Sequence, residues 1–126
     1  MKQSIVANRE SINLSTLDEL HDLTRDDPQQ FVELIEMFLK ELESSLASLN
    51  TAVKNKTEKD LARHAHSLKG ASASVGATQL SLLSRTLEEV ALSARLDLAD
   101  AIFNQIEAEA CEVRIMLTRA ICEQQA

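Results

Sequence analysis

Apolar residues along this chain recur at steps of three and four, which places them on one face of an α-helix. After a loosely ordered lead-in over residues 1–13, the pattern first predicts a short helix over residues 14–24, with Ser15 or Thr16 as its cap. Four longer amphipathic segments follow. Their inward-facing residues are predicted to be Phe31, Ile35, Phe38, Leu42, Leu49 and Val53; Leu61, Ala65, Leu68, Ser72 and Val75; Leu80, Leu83, Leu87, Val90 and Ala94; and Ile102, Ile106, Val113, Leu117 and Ile121.

Helix starts and breaks fall between these segments. Asp27, followed by a proline, predicts the start of the first long helix, because Asp favours the cap position and Pro the first turn. Thr57 and Asp97 are candidate caps for later helices, and Gly76 divides the two segments on either side of it. Short connections between long helices make neighbouring helices antiparallel. The sequence therefore predicts one all-α domain over residues 14–126, an antiparallel up-and-down four-helix bundle with a short additional N-terminal helix.

The composition agrees with an all-α domain and excludes several functional classes. The 126 residues include two Gly, one Pro, three Phe and no Trp or Tyr, which disfavours β-sandwiches and aromatic platforms for bases. A net charge of −7 argues against nucleic-acid binding, and no apolar run approaches the roughly 18 residues of a membrane span. Cys111 and Cys122 are too far apart on one helix to bond, and reduced cysteines are typical of the cytoplasm. We therefore expect a cytoplasmic monomer without membrane insertion.

One short segment departs from the acidic character of the chain. Residues 54–70 carry five basic and two acidic side chains, whereas the segments before and after them are acidic. The same segment holds two of the three histidines, His64 and His66. If the neighbouring apolar positions face inward, His66 faces outward, and the cationic Lys69 follows it by one helical turn.

Gly70 is unexpected in the middle of a helix, where glycine costs about 1 kcal/mol relative to alanine. Helical side chains lean toward the N-terminus, so a side chain is normally covered by the residue four positions later. A glycine four residues after His66 therefore uncovers the imidazole, and the small Ala62 and Ala73 flatten the same face. The pattern predicts a histidine ring that another protein can reach.

The motif HSLKG at residues 66–70, followed by Gly76, resembles the histidine-containing phosphotransfer (HPt) domain of multistep two-component phosphorelays. The residues INL at positions 12–14 and LE at positions 87–88 are similar to the same family. The resemblance covers roughly residues 12–119.

The resemblance implies a phosphocarrier rather than an enzyme with catalytic activity of its own. His66 would accept a phosphoryl group on its outer ring nitrogen from the aspartyl phosphate of a response-regulator receiver domain and pass it to another receiver. Lys69 would help to neutralise the phosphoryl charge, and Gly70 would let the receiver approach. A hybrid sensor histidine kinase is a further partner that the resemblance allows. No cofactor of the chain's own is expected, and Mg²⁺ would come with the receiver.

The antiparallel arrangement predicts a partner for the inner ring nitrogen. Across the break at Gly76, facing residues have numbers that sum to about 153, which puts His66 opposite residue 87. Leu87 belongs to the apolar stripe, so Glu88 is the polar group best placed to accept a hydrogen bond from the ring and orient it. The alternative is that Glu88 is a solvated glutamate on an acidic helix.

Two other functions are compatible with an acidic helical bundle. A metal site needs carboxylates and histidines that converge in the core, but the chain contains no Glu-x-x-His motif, and His64 and His66 point about 200° apart. A helical adaptor that binds receiver domains without phosphotransfer is the stronger alternative. Labelling of His66 by a phosphorylated receiver distinguishes the adaptor from the phosphocarrier.

Overall fold

The computed structural model describes residues 11–125, and this part of the chain contains helices and no β-strand. The helices are α1 (Leu14–Leu23), α2 (Pro28–Asn55), α3 (Glu58–Ser74), α4 (Thr78–Leu92) and α5 (Ala99–Gln125), and a 3₁₀ turn over Leu96–Leu98 precedes α5. Helices α2 to α5 pack in a closed arrangement, because α3 contacts α2 and α4 while α5 contacts the same two helices. The short α1 packs against α2. The predicted four-helix bundle with a short extra helix is confirmed.

The core consists of the apolar stripes that the sequence predicts. Every residue predicted to face inward from α2 and from the α3 segment is buried. Leu83 and Ile102 are half-buried, whereas Ala94 is exposed, contrary to the prediction. The reason is that α4 ends at Leu92, so Ala94 lies in the following turn, with a φ of 58°. Ala91 supplies the last buried position of α4 instead.

Two of the predicted helix caps are wrong. The cap of α1 is Asn13, whose side-chain oxygen accepts hydrogen bonds from the backbone N–H groups of Ser15 and Thr16. An Asx side chain satisfies these N–H groups from the position before the helix, so the hydroxyls of the first turn are not needed. Asp97 lies inside the 3₁₀ turn, where its carboxylate accepts a hydrogen bond from Arg95 at 3.2 Å.

The other two predicted caps hold their positions without the expected bond. Asp27 precedes α2 and Thr57 precedes α3, but neither side chain makes a capping hydrogen bond. The Thr57 hydroxyl instead donates to the carbonyl of Ala52, at 3.5 Å. The positions of these helix starts therefore follow from the pattern, although the capping chemistry does not.

The end of the predicted lead-in packs onto the bundle near the α3–α4 turn. Ile12 is only 1% exposed, and the backbone N–H of Asn13 donates to the carbonyl of Gly76 at 2.7 Å. Gly76 has a φ of 83°, and a Cβ on it would lie 2.9 Å from the carbonyl oxygen of Asn13. A glycine is therefore required where the two segments meet. The rest of the lead-in, residues 1–10, lies outside the described residues.

Cys111 and Cys122 are unpaired and exposed on α5. Within residues 11–125, no helix is both long enough and apolar enough to cross a membrane.

Candidate functional site

His66 lies on the outer face of α3, and 66% of its side chain is exposed. Ala65 and Leu68, at the neighbouring positions of the helix, are buried in the core. The helical spacing therefore turns the imidazole away from the bundle, as the sequence analysis predicts.

Glu88 of α4 binds both His66 and Lys69 through its two carboxylate oxygens. Its Oε2 lies 2.8 Å from Nδ1 of His66, and its Oε1 accepts a hydrogen bond from Nζ of Lys69 at 2.9 Å. A carboxylate can only accept, so the Nδ1 atom carries the proton in this contact. The neutral ring then has its free electron pair on Nε2, the outer nitrogen.

The Glu88 side chain is largely buried, with 17% of its surface exposed, yet it is held in its charged form. The hydrogen bond from the Lys69 ammonium is the main reason that the pKa of Glu88 lies below its ordinary value. Desolvation acts in the opposite direction, and the hydrogen bond with His66 adds to the lowering. A carboxylate that stays ionised near neutral pH is a permanent acceptor for the Nδ1–H group.

The sequence pattern does not predict the ion pair between Lys69 and Glu88; it places Lys69 one helical turn after His66 without assigning it a partner on α4. The register places His66 opposite residue 87, next to Glu88, and Lys69 is one turn further along the same helix. A lysine side chain is long enough to span that distance, so the register was a usable signal. The pair leaves 32% of the Lys69 side chain exposed.

Gly70 adjoins open space. A Cβ added to it would meet no atom within 4 Å outside its own helix, whereas a Cβ on Gly76 would collide with a neighbouring backbone. Packing among the described residues therefore gives no reason for a glycine at position 70. The surface next to His66 is bare on that side.

His64 is directed toward a different part of the molecule from His66. It is half-buried and lines a cavity of about 330 Å³ between α2 and α3, together with residues that include Thr51 and Asp60. The third histidine, His21, packs edge-on against Phe31, with 5.2 Å between the ring centres. Among the described residues, no group of three His, Cys, Asp or Glu side chains comes together as a metal site.

The basic segment is only partly free to meet a partner. Arg63 pairs with Asp60 at 3.2 Å on the exposed surface, and Lys69 is engaged by Glu88. Lys59 and Arg63 are exposed on α3, on the N-terminal side of His66. The exposed pair is screened by water and contributes little to stability.

Comparison with known proteins identifies the family. The model of the Hpt domain family matches residues 33–120, a range that contains His66, Lys69, Gly70 and Glu88. The chain belongs to the Hpt domain family. The crystal structure of histidine-containing phosphotransfer protein B (HptB) from Pseudomonas aeruginosa PAO1 is similar over 90% of this chain and 96% of that chain, with 29% sequence identity and a TM-score of 0.85. No match to a curated protein was found.

The family and the fold together establish the general role of the chain. Hpt domains are phosphocarriers that interact with receiver domains, and the similarity to HptB extends over nearly the whole of both chains. This Hpt domain therefore functions in histidine phosphotransfer within two-component phosphorelays.

Proposed function

We propose that His66 is the phosphorylated histidine of this Hpt domain. The Nε2 electron pair attacks the phosphorus of a receiver's aspartyl phosphate, a P–N bond forms, and the bond from phosphorus to the aspartyl oxygen breaks. The receiver carboxylate is the leaving group, and the same step in reverse transfers the phosphoryl group to a second receiver. The single observation that supports this assignment is the outward, 66% exposed ring whose Nδ1 atom is bonded to Glu88.

Glu88 acts in this proposal as a positioning residue for the ring. It keeps the proton on Nδ1, so that Nε2 presents its electron pair to the receiver. When Nε2 bonds to phosphorus, the ring gains positive charge, and the carboxylate at 2.8 Å stabilises that charge through the Nδ1–H group. The hydrogen bond therefore strengthens as the P–N bond forms.

Lys69 neutralises charge on the transferred phosphoryl group. Its position three residues after His66 places it on the same face of α3 as the ring, and its ion pair with Glu88 holds it close to the ring. Phosphoryl transfer requires charge neutralisation and in most proteins uses Mg²⁺. We assign that Mg²⁺ to the receiver, whose aspartate carries the incoming phosphoryl group.

The receiver docks on the outer face of α3 around Gly70. The exposed Lys59 and Arg63 extend this face toward the N-terminus of α3, where they meet the carboxylates that surround a receiver's phosphorylated aspartate. A cavity of about 310 Å³ lies on the α2 side of α3, where Met37 is 67% exposed and Ala71 contributes to the lining. This cavity offers the receiver an apolar contact surface beside the basic surface formed by Lys59 and Arg63. Charge complementarity of this kind mainly raises the encounter rate and is weakened by salt.

Phosphotransfer profiling against the receiver domains of the same genome tests the proposal. The domain is incubated with each phosphorylated receiver, and transfer is followed as acid-labile label on the Hpt domain. Rapid labelling by one or a few receivers, slower at high ionic strength, is the expected result. Receivers that bind the domain but leave it unlabelled would support the adaptor function instead.

A further inference from the structure

Ser81 of α4 makes a hydrogen bond across the helix pair that contains the site. Its hydroxyl donates to the backbone carbonyl of Lys69 on α3, with 2.9 Å between the oxygens, and the side chain is partly buried. The other hydroxyls of α4 that donate hydrogen bonds do so within their own helix or the turn before it: Thr78 to Gly76, Ser84 to Leu80 and Thr86 to Leu82. Among these, the Ser81 bond alone fixes one helix against the other.

The Ser81 bond and the Glu88 contacts lie on the same face of α4. Ser81 precedes Glu88 by seven residues, about two helical turns, so both side chains point toward α3. A helical carbonyl points toward the C-terminus, so the Lys69 oxygen lies near the level of Ser72, which the antiparallel register places opposite Ser81. Helix α4 therefore binds the backbone of α3 through Ser81, and two turns further along it binds the side chains of His66 and Lys69 through Glu88.

The axial position of α4 decides whether Glu88 can reach the ring. A displacement of α4 along its axis by one turn would move Glu88 by about 5.4 Å. A shift of the helix pairing by a single residue would turn Glu88 by about 100° around the axis of α4. A hydrogen bond tolerates only a few tenths of an ångström, and Ser81 has a short side chain that bonds a rigid backbone atom. Apolar packing of the buried Leu68, Leu80 and Leu87 is less directional than a hydrogen bond. The buried hydroxyls of Ser72 and Ser84 make no hydrogen bond between the two helices.

We propose that Ser81 is a positioning residue for phosphotransfer, because its bond to the Lys69 carbonyl fixes the axial position of α4, within the register set by the apolar stripes and the short turn, so that Glu88 reaches Nδ1 of His66. The inference rests on the proposed role of His66 as the phosphorylated residue. Ser81 acts through Glu88 and touches neither the phosphoryl group nor the receiver.

Ser81→Ala, compared with Ser84→Ala, tests this inference. Both substitutions remove one hydroxyl from α4, but the Ser84 hydroxyl bonds only to Leu80 of its own helix, at 2.8 Å. The measurements are the ¹⁵N chemical shifts of the two His66 ring nitrogens in the unphosphorylated protein and the transfer rate from a phosphorylated receiver. We expect Ser81→Ala to shift the ring toward the other tautomer and to slow transfer by about fivefold, the effect of one lost hydrogen bond. Ser84→Ala leaves the tautomer and the rate unchanged.

A second pair of variants covers the case in which Ser81→Ala is poorly folded. Ser81→Thr keeps the hydroxyl. Ser81→Val has nearly the same shape as the Thr variant but lacks the hydroxyl. The inference predicts a wild-type tautomer ratio for the Thr variant and an altered ratio for the Val variant. A wild-type ratio in both the Ala and Val variants would overturn it, as would an equal change in Ser84→Ala. The tautomer is measured without a receiver, so this result is distinct from a failure of His66 to become labelled.

Discussion

Glu88 Oε2 lies 2.8 Å from Nδ1 of His66, although the two residues are 22 positions apart in the chain. The contact joins the outer faces of α3 and α4 and determines which ring nitrogen carries the free electron pair. It links the fold to the chemistry, because an imidazole with its proton on the outer nitrogen has its free electron pair on the inner nitrogen, where a receiver does not approach.

Removal of the Glu88 carboxylate tests whether it orients the ring. In Glu88→Ala the proton is free to occupy either nitrogen, so the tautomer ratio moves toward that of a solvated histidine side chain. Transfer slows by roughly tenfold, as expected for a lost charge-assisted hydrogen bond. Glu88→Gln can still accept through its amide oxygen and is expected to keep the tautomer while losing part of the rate. NMR of the ring nitrogens and single-turnover transfer measure the two effects. An unchanged ratio and rate in Glu88→Ala would leave Glu88 without a role.

The pKa of Glu88 depends on Lys69. Lys69→Met removes the hydrogen bond that contributes most to the lowering, so we expect the Glu88 carboxyl to titrate at a higher pH in the variant. Carboxyl ¹³C titration measures this shift. Lys59→Met is the matched control for this titration, since it removes an exposed lysine of the same helix that does not contact Glu88.

The ion pair between Lys69 and Glu88 makes the stability of the domain depend on pH. The pKa of Glu88 is lower in the folded than in the unfolded chain, so the contribution of the pair to stability is complete above the ordinary pKa of a glutamate. It is lost as the pH falls through the lowered folded-state pKa. Urea unfolding should therefore find Lys69→Met less stable than wild type at pH 7 and equally stable at the acid end. A difference that persists at acid pH would contradict the ionic origin of the effect.

Substitution of Gly70 separates folding from docking. Gly70→Ala fits the structure, because its Cβ would meet no atom within 4 Å, and it should raise the free energy of unfolding by about 1 kcal/mol. Gly70→Gln extends over the ring and should slow transfer while the domain remains folded. Gly76→Ala is the contrasting control, because it places a Cβ 2.9 Å from the Asn13 carbonyl oxygen at a positive φ and should destabilise the domain. Normal transfer by Gly70→Gln would refute the access role of the glycine.

The helices and the core were predictable because hydrophobic burial imposes the 3.6-residue period directly on the sequence. The register across Gly76 followed from the same period and a short turn, and it led to Glu88 even though Glu88 lies 22 residues from His66. Two long helices and a tight connection leave little freedom in how facing positions pair.

The errors arose where competing local interactions decide the outcome. Asn13, Ser15 and Thr16 can all cap a helix, and the structure uses the first because α1 begins at Leu14. Ala94 continues the apolar period, but the chain turns after Leu92, and periodicity carries no information about where a helix stops. The bond from Ser81 to the Lys69 carbonyl was also beyond the pattern, since it joins a side chain to a backbone atom.

The most direct test of His66 as the phosphorylated residue is a comparison of His66→Gln with His64→Gln. The two histidines are two residues apart, but His66 has the exposed ring bonded to Glu88, whereas His64 lines the cavity between α2 and α3. Each variant is incubated with a phosphorylated receiver that labels the wild-type domain, and the acid-labile label is quantified. The account predicts that His64→Gln is labelled at close to the wild-type rate and that His66→Gln is not labelled. Full labelling of His66→Gln would contradict it.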